Sequence, residues 1–412
     1  MNQSPLAEDH FSRAGGAVSV VFAALPFAAI GGGLGLAPAA VIAGIVAAPW
    51  QRLPRAAREG GFALLLFAGF LGWCALSLAW SSQPLPTFLP TLAFGALAML
   101  LVLGAGFERA ADLDLAQRAA FAGLALSIAL IAIEISYNYP VARAIAPPAP
   151  GGAGYGIEIE TGALQTFAGR ALSLAALWIW PVAAMLHRYR WPGWIGIALM
   201  TGALAWLCRA LPNIVIMAAL AVGLAPALLA LRWPRRVVTL TAVSIAACLV
   251  AAPGVSPTLA VLAGQGWRAA TGGDPPFALL ARVDTWSYAT GLIRQKPIWG
   301  WGLGASRAFD ETHTIAGFST PYIPGNPQSA PMQIWLETGA VGAVLAAAAL
   351  AALGRRAGDA LAEDRLAAAA ASGAMATAFL IAALGEFSVW AIWWWAGLAI
   401  CAAMVRVSRR AP

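Results

Sequence analysis

Charge is scarce in this sequence. Only 10% of the 412 residues are Asp, Glu, Lys or Arg, against about 25% in a soluble domain, which excludes an ordinary water-soluble globular chain. Lysine is nearly absent: Lys296 is the single one among 25 basic residues, so the net charge of +7 is an arginine charge. Histidine is confined to His10, His187 and His313. The four cysteines, Cys74, Cys208, Cys248 and Cys401, sit in or beside apolar runs without close pairing, which indicates neither a disulfide framework nor a zinc site. No metal or other cofactor is expected. Strict alternation of apolar and polar residues is lacking, which excludes a membrane barrel. The first apolar run is too long for a short cleavable signal. No internal repeat of the transporter kind is found.

What fills the chain is apolar: 60% of residues are hydrophobic and the mean hydropathy is +0.75. Twelve apolar segments lie near 15–33, 35–50, 61–80, 87–106, 117–136, 166–187, 192–209, 212–231, 237–256, 331–353, 366–386 and 388–405. Each is close to the roughly 20 residues that cross a bilayer as a helix. Arginine sets their orientation. With the N-terminus in the cytoplasm, Arg52, Arg55, Arg58, Arg109, Arg118, Arg188, Arg190, Arg232, Arg235, Arg236, Arg355, Arg356 and Arg365 fall on inside connections. The same arginines are thereby accounted for without a nucleic-acid partner. The expected architecture is all-α and polytopic: spans one to nine over 1–256, a large outer loop over 257–330, and three further spans with a cytoplasmic tail over 331–412. Residues 277–295 of the loop carry a helical pattern of apolar positions.

The longest polar interval with glycine and aromatic structure is 297–342, PIWGWGLGASRAFDETHTIAGFSTPYIPGNPQSAPMQIWLETGAVG. Ionisable residues inside spans mark a function or a partner. Arg170, Arg209 and Glu134 lie near the outer ends of their spans, and Arg282 lies in the outer loop. Arginines from separate segments at one level of the bilayer call for an anion, and guanidinium groups bind phosphate oxygens in pairs. Against this, Arg209 fits simple snorkelling and Arg170 fits a structural pair with Glu134. Glu337 reads as a packing residue. The run Trp390, Trp393, Trp394 and Trp395 reads as an interfacial aromatic belt.

Several short motifs in order give the chain a resemblance to the O-antigen ligase and polymerase family of membrane proteins. These are Arg170 followed by Trp180-Pro181, Arg282-x-x-x-Trp286, Pro297-x-x-Gly300-x-Gly302 with Ala305-Ser306-Arg307, and Gln333-x-x-x-Glu337-x-Gly339-x-x-Gly342. The resemblance implies a glycosyltransferase of the multi-span type, metal-independent and inverting, in the bacterial inner membrane with its active side periplasmic. Its implied partners are an undecaprenyl-pyrophosphate-linked glycan, a glycan or lipid acceptor such as lipid A-core, and membrane lipid. By the same resemblance Arg170, Arg209 and Arg282 hold the pyrophosphate, with Arg307, Asn326 and Ser329 also on the substrate. The family has a histidine that activates the acceptor hydroxyl; this chain has Gln328 there, within Asn326-Pro327-Gln328-Ser329. Glutamine donates and accepts hydrogen bonds but takes up no proton near neutral pH. Four outcomes stay open: Gln328 orients the acceptor, His313 substitutes as the base, the leaving pyrophosphate drives the reaction, or the site is inactive. The alternatives are a non-catalytic binder of lipid-linked glycan and a lipid flippase or transporter.

Overall fold

The computed structural model describes residues 13–26, 35–47, 53–82, 110–145, 156–211, 213–315 and 317–409. Every apolar segment on described residues is helical, because helices alone satisfy their backbone without water. The helices are α1 (Arg13–Ala23), α2 (Leu36–Ala47), α3 (Leu53–Ser77), α4 (Ala110–Ser136), α5 (Pro140–Ile145), α6 (Gly156–Leu186), α7 (Arg190–Ala210), α8 (Ile214–Ala230), α9 (Pro234–Thr271), α10 (Phe277–Gln295), α11 (Ala330–Ala360), α12 (Arg365–Leu384) and α13 (Ile392–Ser408). Seven helices among the described residues are long and apolar enough to cross a membrane, and three shorter apolar ones are 36–46, 214–230 and 392–408. The expected fourth span, 87–106, lies outside the described residues.

The outer loop departs from the all-α expectation. It contains a two-stranded antiparallel hairpin, β1 (Thr312–Ile315) paired with β2 (Phe318–Pro321), with His313 opposite Thr320. Strands of four residues give too short a pattern to be read from sequence. The loop also begins as helix: α9 runs unbroken through residue 256 for 38 residues, about 57 Å at 1.5 Å per residue, beyond a hydrocarbon core of about 30 Å. It stops at Gly272, which is left-handed (φ 68°).

Prolines inside α9 fix its neighbours. Proline has no N–H, so the carbonyl four residues earlier loses its helical partner. Pro253 frees the Leu249 carbonyl, which accepts from Trp335 Nε1 on α11 at 2.9 Å. Pro257 frees the Pro253 carbonyl, which accepts from Thr290 Oγ1 on α10 at 3.3 Å. Pro181 in α6 does the same for the Leu177 carbonyl, which the buried Cys401 thiol of α13 approaches at 3.7 Å. Three helix contacts thus follow from backbone groups that must find partners in an apolar interior.

The tryptophans near the C-terminus also differ from expectation. Trp390, Trp393 and Trp394 are buried, and Trp393 and Trp394 pack on Phe387 with ring centroids 4.9 and 5.1 Å away. Trp393 and Trp394 are core residues packed with α6 and α12, and Trp390 packs among α3, α9 and α11, so these three form no belt facing lipid; composition alone does not say which way a ring points.

The most consequential local feature is a break in α11. Gly339 has φ 64° and ψ −167°, so the helix loses its own hydrogen bonds there. The segment before it in sequence, 297–302, supplies replacements. Trp301 N and Gly302 N donate to the carbonyls of Leu336 and Glu337 at 2.9 and 2.8 Å. Ala340 N and Val341 N donate to the carbonyls of Pro297 and Ile298 at 2.8 and 3.3 Å. Trp73 Nε1 of α3 caps the Thr338 carbonyl at 2.9 Å. The strand-like pairing requires backbones in contact: a Cβ at Gly300 would stand 2.6 Å from the Glu337 carbonyl, and one at Gly339 would overlap the Ile298 carbonyl. Gly339→Ala is therefore expected to lower stability, by about 1–3 kcal/mol from the backbone dihedral alone, with the overlap adding to it. Thermal unfolding in detergent checks this. Gly72→Ala, in a helix with nothing near its Cβ, is the control, and equal midpoints would show that the clamp contributes nothing.

Candidate functional site

The Gly-rich turn is held shut by one carboxylate. Glu337, in the N-terminal half of α11 just before the break, is fully buried. Its Oε2 accepts from Gly304 N and Trp390 Nε1, both at 2.6 Å. Its Oε1 accepts from Ser306 Oγ and from Gln333 Nε2, the latter at 2.9 Å and one helical turn earlier. Gln333 is equally engaged: its Nε2 also reaches Ser388 Oγ at 2.9 Å and its Oε1 accepts from Val389 N at 2.9 Å. Four donors converge on one buried acceptor, which is what burying a carboxylate without a cation requires. The result binds residues 304–306, the start of α11 and the 385–391 turn into one unit. Glu337 is thus the packing residue expected, with a larger role than packing. Removing it leaves Gly304 N, Ser306, Gln333 and Trp390 with unmatched donors, each worth about 1–3 kcal/mol when buried. The expected order of thermal stability is wild type, then Glu337→Gln, which keeps one acceptor, then Glu337→Ala. A Glu337→Ala protein as stable as wild type would contradict this reading.

The Arg282-x-x-x-Trp286 motif puts two side chains one turn apart on α10. Trp286 is buried and donates through Nε1 to the Pro327 carbonyl at 2.9 Å. Arg282 donates through Nη2 to the Leu384 carbonyl at 3.0 Å and to Glu386 Oε1 at 3.3 Å. The motif therefore fastens the Gln328 turn to one side and the 384–386 segment to the other. The Nε of Arg282 is enclosed and has no partner among the described residues.

The turn itself is tight. Asn326 Oδ1 accepts from Gln328 N at 2.8 Å, and Gln328 has φ 52°, a region in which His, Asn and Asp are enriched and other side chains are uncommon. Gln328 is half-buried and Ser329, at the N-cap of α11, is buried. Asn326 thus shapes the turn with its side chain.

Arg170 approaches the same 384–393 segment from α6. Its guanidinium carbon lies 5.8 Å from the Trp393 ring centre and 5.7 Å from that of Phe167, and its Nε is enclosed with no partner among the described residues. Glu134 does not pair with it: both Glu134 oxygens are taken by Val141 N and Ala142 N, at 2.9 and 3.0 Å, at the start of α5. Arg209 is exposed in the last turn of α7, and Arg307 is exposed beside the Gly-rich turn. His313 packs edge-on against Tyr322, centroids 4.1 Å apart, with both ring nitrogens enclosed and unpartnered among the described residues. Tyr322 stacks on Tyr288 of α10 at 4.5 Å and its carbonyl accepts from Thr285 at 2.7 Å, which pins the hairpin to α10. Partial burial, followed by the hydrogen bond and charge of Glu311, pushes the Tyr288 phenol up to about 12. Arg282 meets the 384–386 turn and Arg170 meets Trp393 beyond it, while Trp286 ties the Gln328 turn to α10; the ring of His313 packs on Tyr322. Glu386 and Gln333, which the sequence reading left out of the site, belong to it. Among the described residues no cluster of His, Cys, Asp and Glu could hold a metal ion.

Residues 175–347 match a family model described as O-antigen ligase. The match takes in Arg282, Gln328 and Glu337, while Arg170 and Glu386 lie outside it. No curated protein and no solved structure matches the chain.

Proposed function

With residues 175–347 an O-antigen ligase domain, we propose that this membrane protein transfers a glycan from a polyprenyl pyrophosphate to a hydroxyl acceptor on the outer face of the inner membrane. The observation that carries the reading is a pair of arginines on one stretch of chain: Arg282 contacts Leu384 and Glu386, and Arg170 contacts Trp393. Each keeps an enclosed Nε–H without a partner among the described residues, and a buried donor of that kind favours an incoming oxygen. In the reaction the acceptor hydroxyl oxygen attacks the anomeric carbon, the bond to the pyrophosphate oxygen breaks with inversion, and the hydroxyl proton passes to the departing diphosphate. The two guanidinium groups hold the diphosphate and stabilise the charge it gains. Gln328 orients the acceptor hydroxyl by hydrogen bonding and takes no proton at neutral pH.

A second reading, a non-catalytic binder of lipid-linked glycan, is favoured by the same glutamine. A transporter is disfavoured by the state of the buried carboxylates: Glu134 and Glu337 spend their oxygens on backbone and side-chain donors within the fold, leaving none poised for ion coupling among the described residues.

Binding of undecaprenyl pyrophosphate tests the anion site. Arg170→Ala is expected to weaken it markedly, and Arg170→Lys to restore only part, since lysine keeps the charge and loses the paired geometry. Unchanged binding in a folded Arg170→Ala protein would end the reading. Transfer activity separates enzyme from binder. The left-handed backbone at Gln328 accommodates histidine, so Gln328→His is expected to fold, to leave donor binding unchanged and to raise transfer by about 10²–10⁴-fold, the usual contribution of a placed base, rising with pH through about 6.5. Full transfer by the natural chain with no gain from Gln328→His would show that the loop needs no base.

A further inference from the structure

We propose that Glu386 is an internal anion that occupies Arg282 until the diphosphate of a donor displaces it, so that Glu386 holds down the affinity of the empty site for anions. The inference rests on the anion site proposed above. Arg282 is largely enclosed, with 15% of its side chain exposed, while Glu386 is 64% exposed. Their contact is a single one, Nη2 to Oε1 at 3.3 Å, although a guanidinium group can offer an oxyanion two parallel hydrogen bonds. The nearer partner of the same Nη2 is the Leu384 carbonyl at 3.0 Å. Arg282 is thus kept in place by backbone, and the carboxylate supplies mainly a charge.

What the carboxylate leaves unused is what a diphosphate takes. The enclosed Nε–H of Arg282 has no partner among the described residues, and a ligand with several oxygens on two phosphorus atoms engages it together with Nη2. The exchange also needs little movement. Ser388 and Val389, just beyond Glu386, are tied to Gln333 at 2.9 Å, so the turn stays fixed while the exposed Glu386 side chain swings into water. The same segment reaches Arg170 through Trp393, seven residues beyond Glu386.

The test is a double-mutant cycle on the purified full-length protein, with undecaprenyl pyrophosphate as ligand and undecaprenyl monophosphate as the comparison. An exposed ion pair is worth a factor of roughly two to five in an equilibrium constant. Glu386→Ala is therefore expected to bind the pyrophosphate about two- to fivefold tighter, to gain no more than that factor for the monophosphate, and to unfold at the wild-type temperature. Glu386→Gln should shift binding in the same direction. In an Arg282→Ala background Glu386→Ala should change nothing. Binding that is unchanged or weaker in Glu386→Ala, or a gain that persists without Arg282, overturns the proposal while the anion site stands, provided Arg282→Ala or Arg170→Ala still weakens binding. If neither arginine variant weakens binding, the site and this inference fall together.

Discussion

A helix cannot be interrupted inside an apolar layer unless the freed amides and carbonyls find new partners. That constraint governs the centre of this protein. The break at Gly339 frees groups on both sides, and the Pro297–Gly302 segment answers them one for one. Because this segment begins right after α10, the pairing fixes where α10 meets α11, and with it the places of Arg282 and Trp286. The Glu337 network then locks the outcome from the other side by tying in Gly304, Ser306 and Trp390. The order of dependence runs from one glycine dihedral to a backbone pairing, to a helix position, to an arginine.

Much of this was legible in the sequence, though unevenly. The helices announced themselves through apolar length. The glycines of 297–304 marked a special turn, and the four-residue spacing of Arg282 and Trp286 placed both on one face. Spacing did not say what either would touch, because Pro327 and Leu384 are distant in sequence. Glu337 was visible as an odd charge in an apolar helix, yet its donors at 304, 306 and 390 carry no local signal. Prolines 253 and 257 could be counted, but which side chains would reach the freed carbonyls was set by packing. The hairpin at 312–321 was missed since its strands are short and partly polar. Glu386 stands at a turn with no motif around it, and only its contact with Arg282 gives it meaning.

The site has a division of labour that follows from burial. The enclosed polar groups, Glu337, Gln333 and Trp286, are satisfied and rigid. Those with unused capacity, Arg170, Arg282 and the side chain of Gln328, stand at the margin of that frame. A frame without spare hydrogen-bonding groups offers an incoming ligand nothing to compete for. The Gln328 side chain has no part in the Glu337 network, whose bonds are all made by other residues.

The Glu337 network also bears on how the protein is made. Its donors arrive at the membrane in the order of synthesis: Gly304 and Ser306 before Glu337, Trp390 after it, with α12 in between. While α12 is being inserted, the acid in α11 lacks its Trp390 partner and Gln333 lacks Val389 and Ser388. A half-built chain thus carries a polar flaw within an apolar helix, and the arrival of the final turn removes it. The polar contacts of α11 are therefore complete only once the 388–390 turn, which follows α12, has been added.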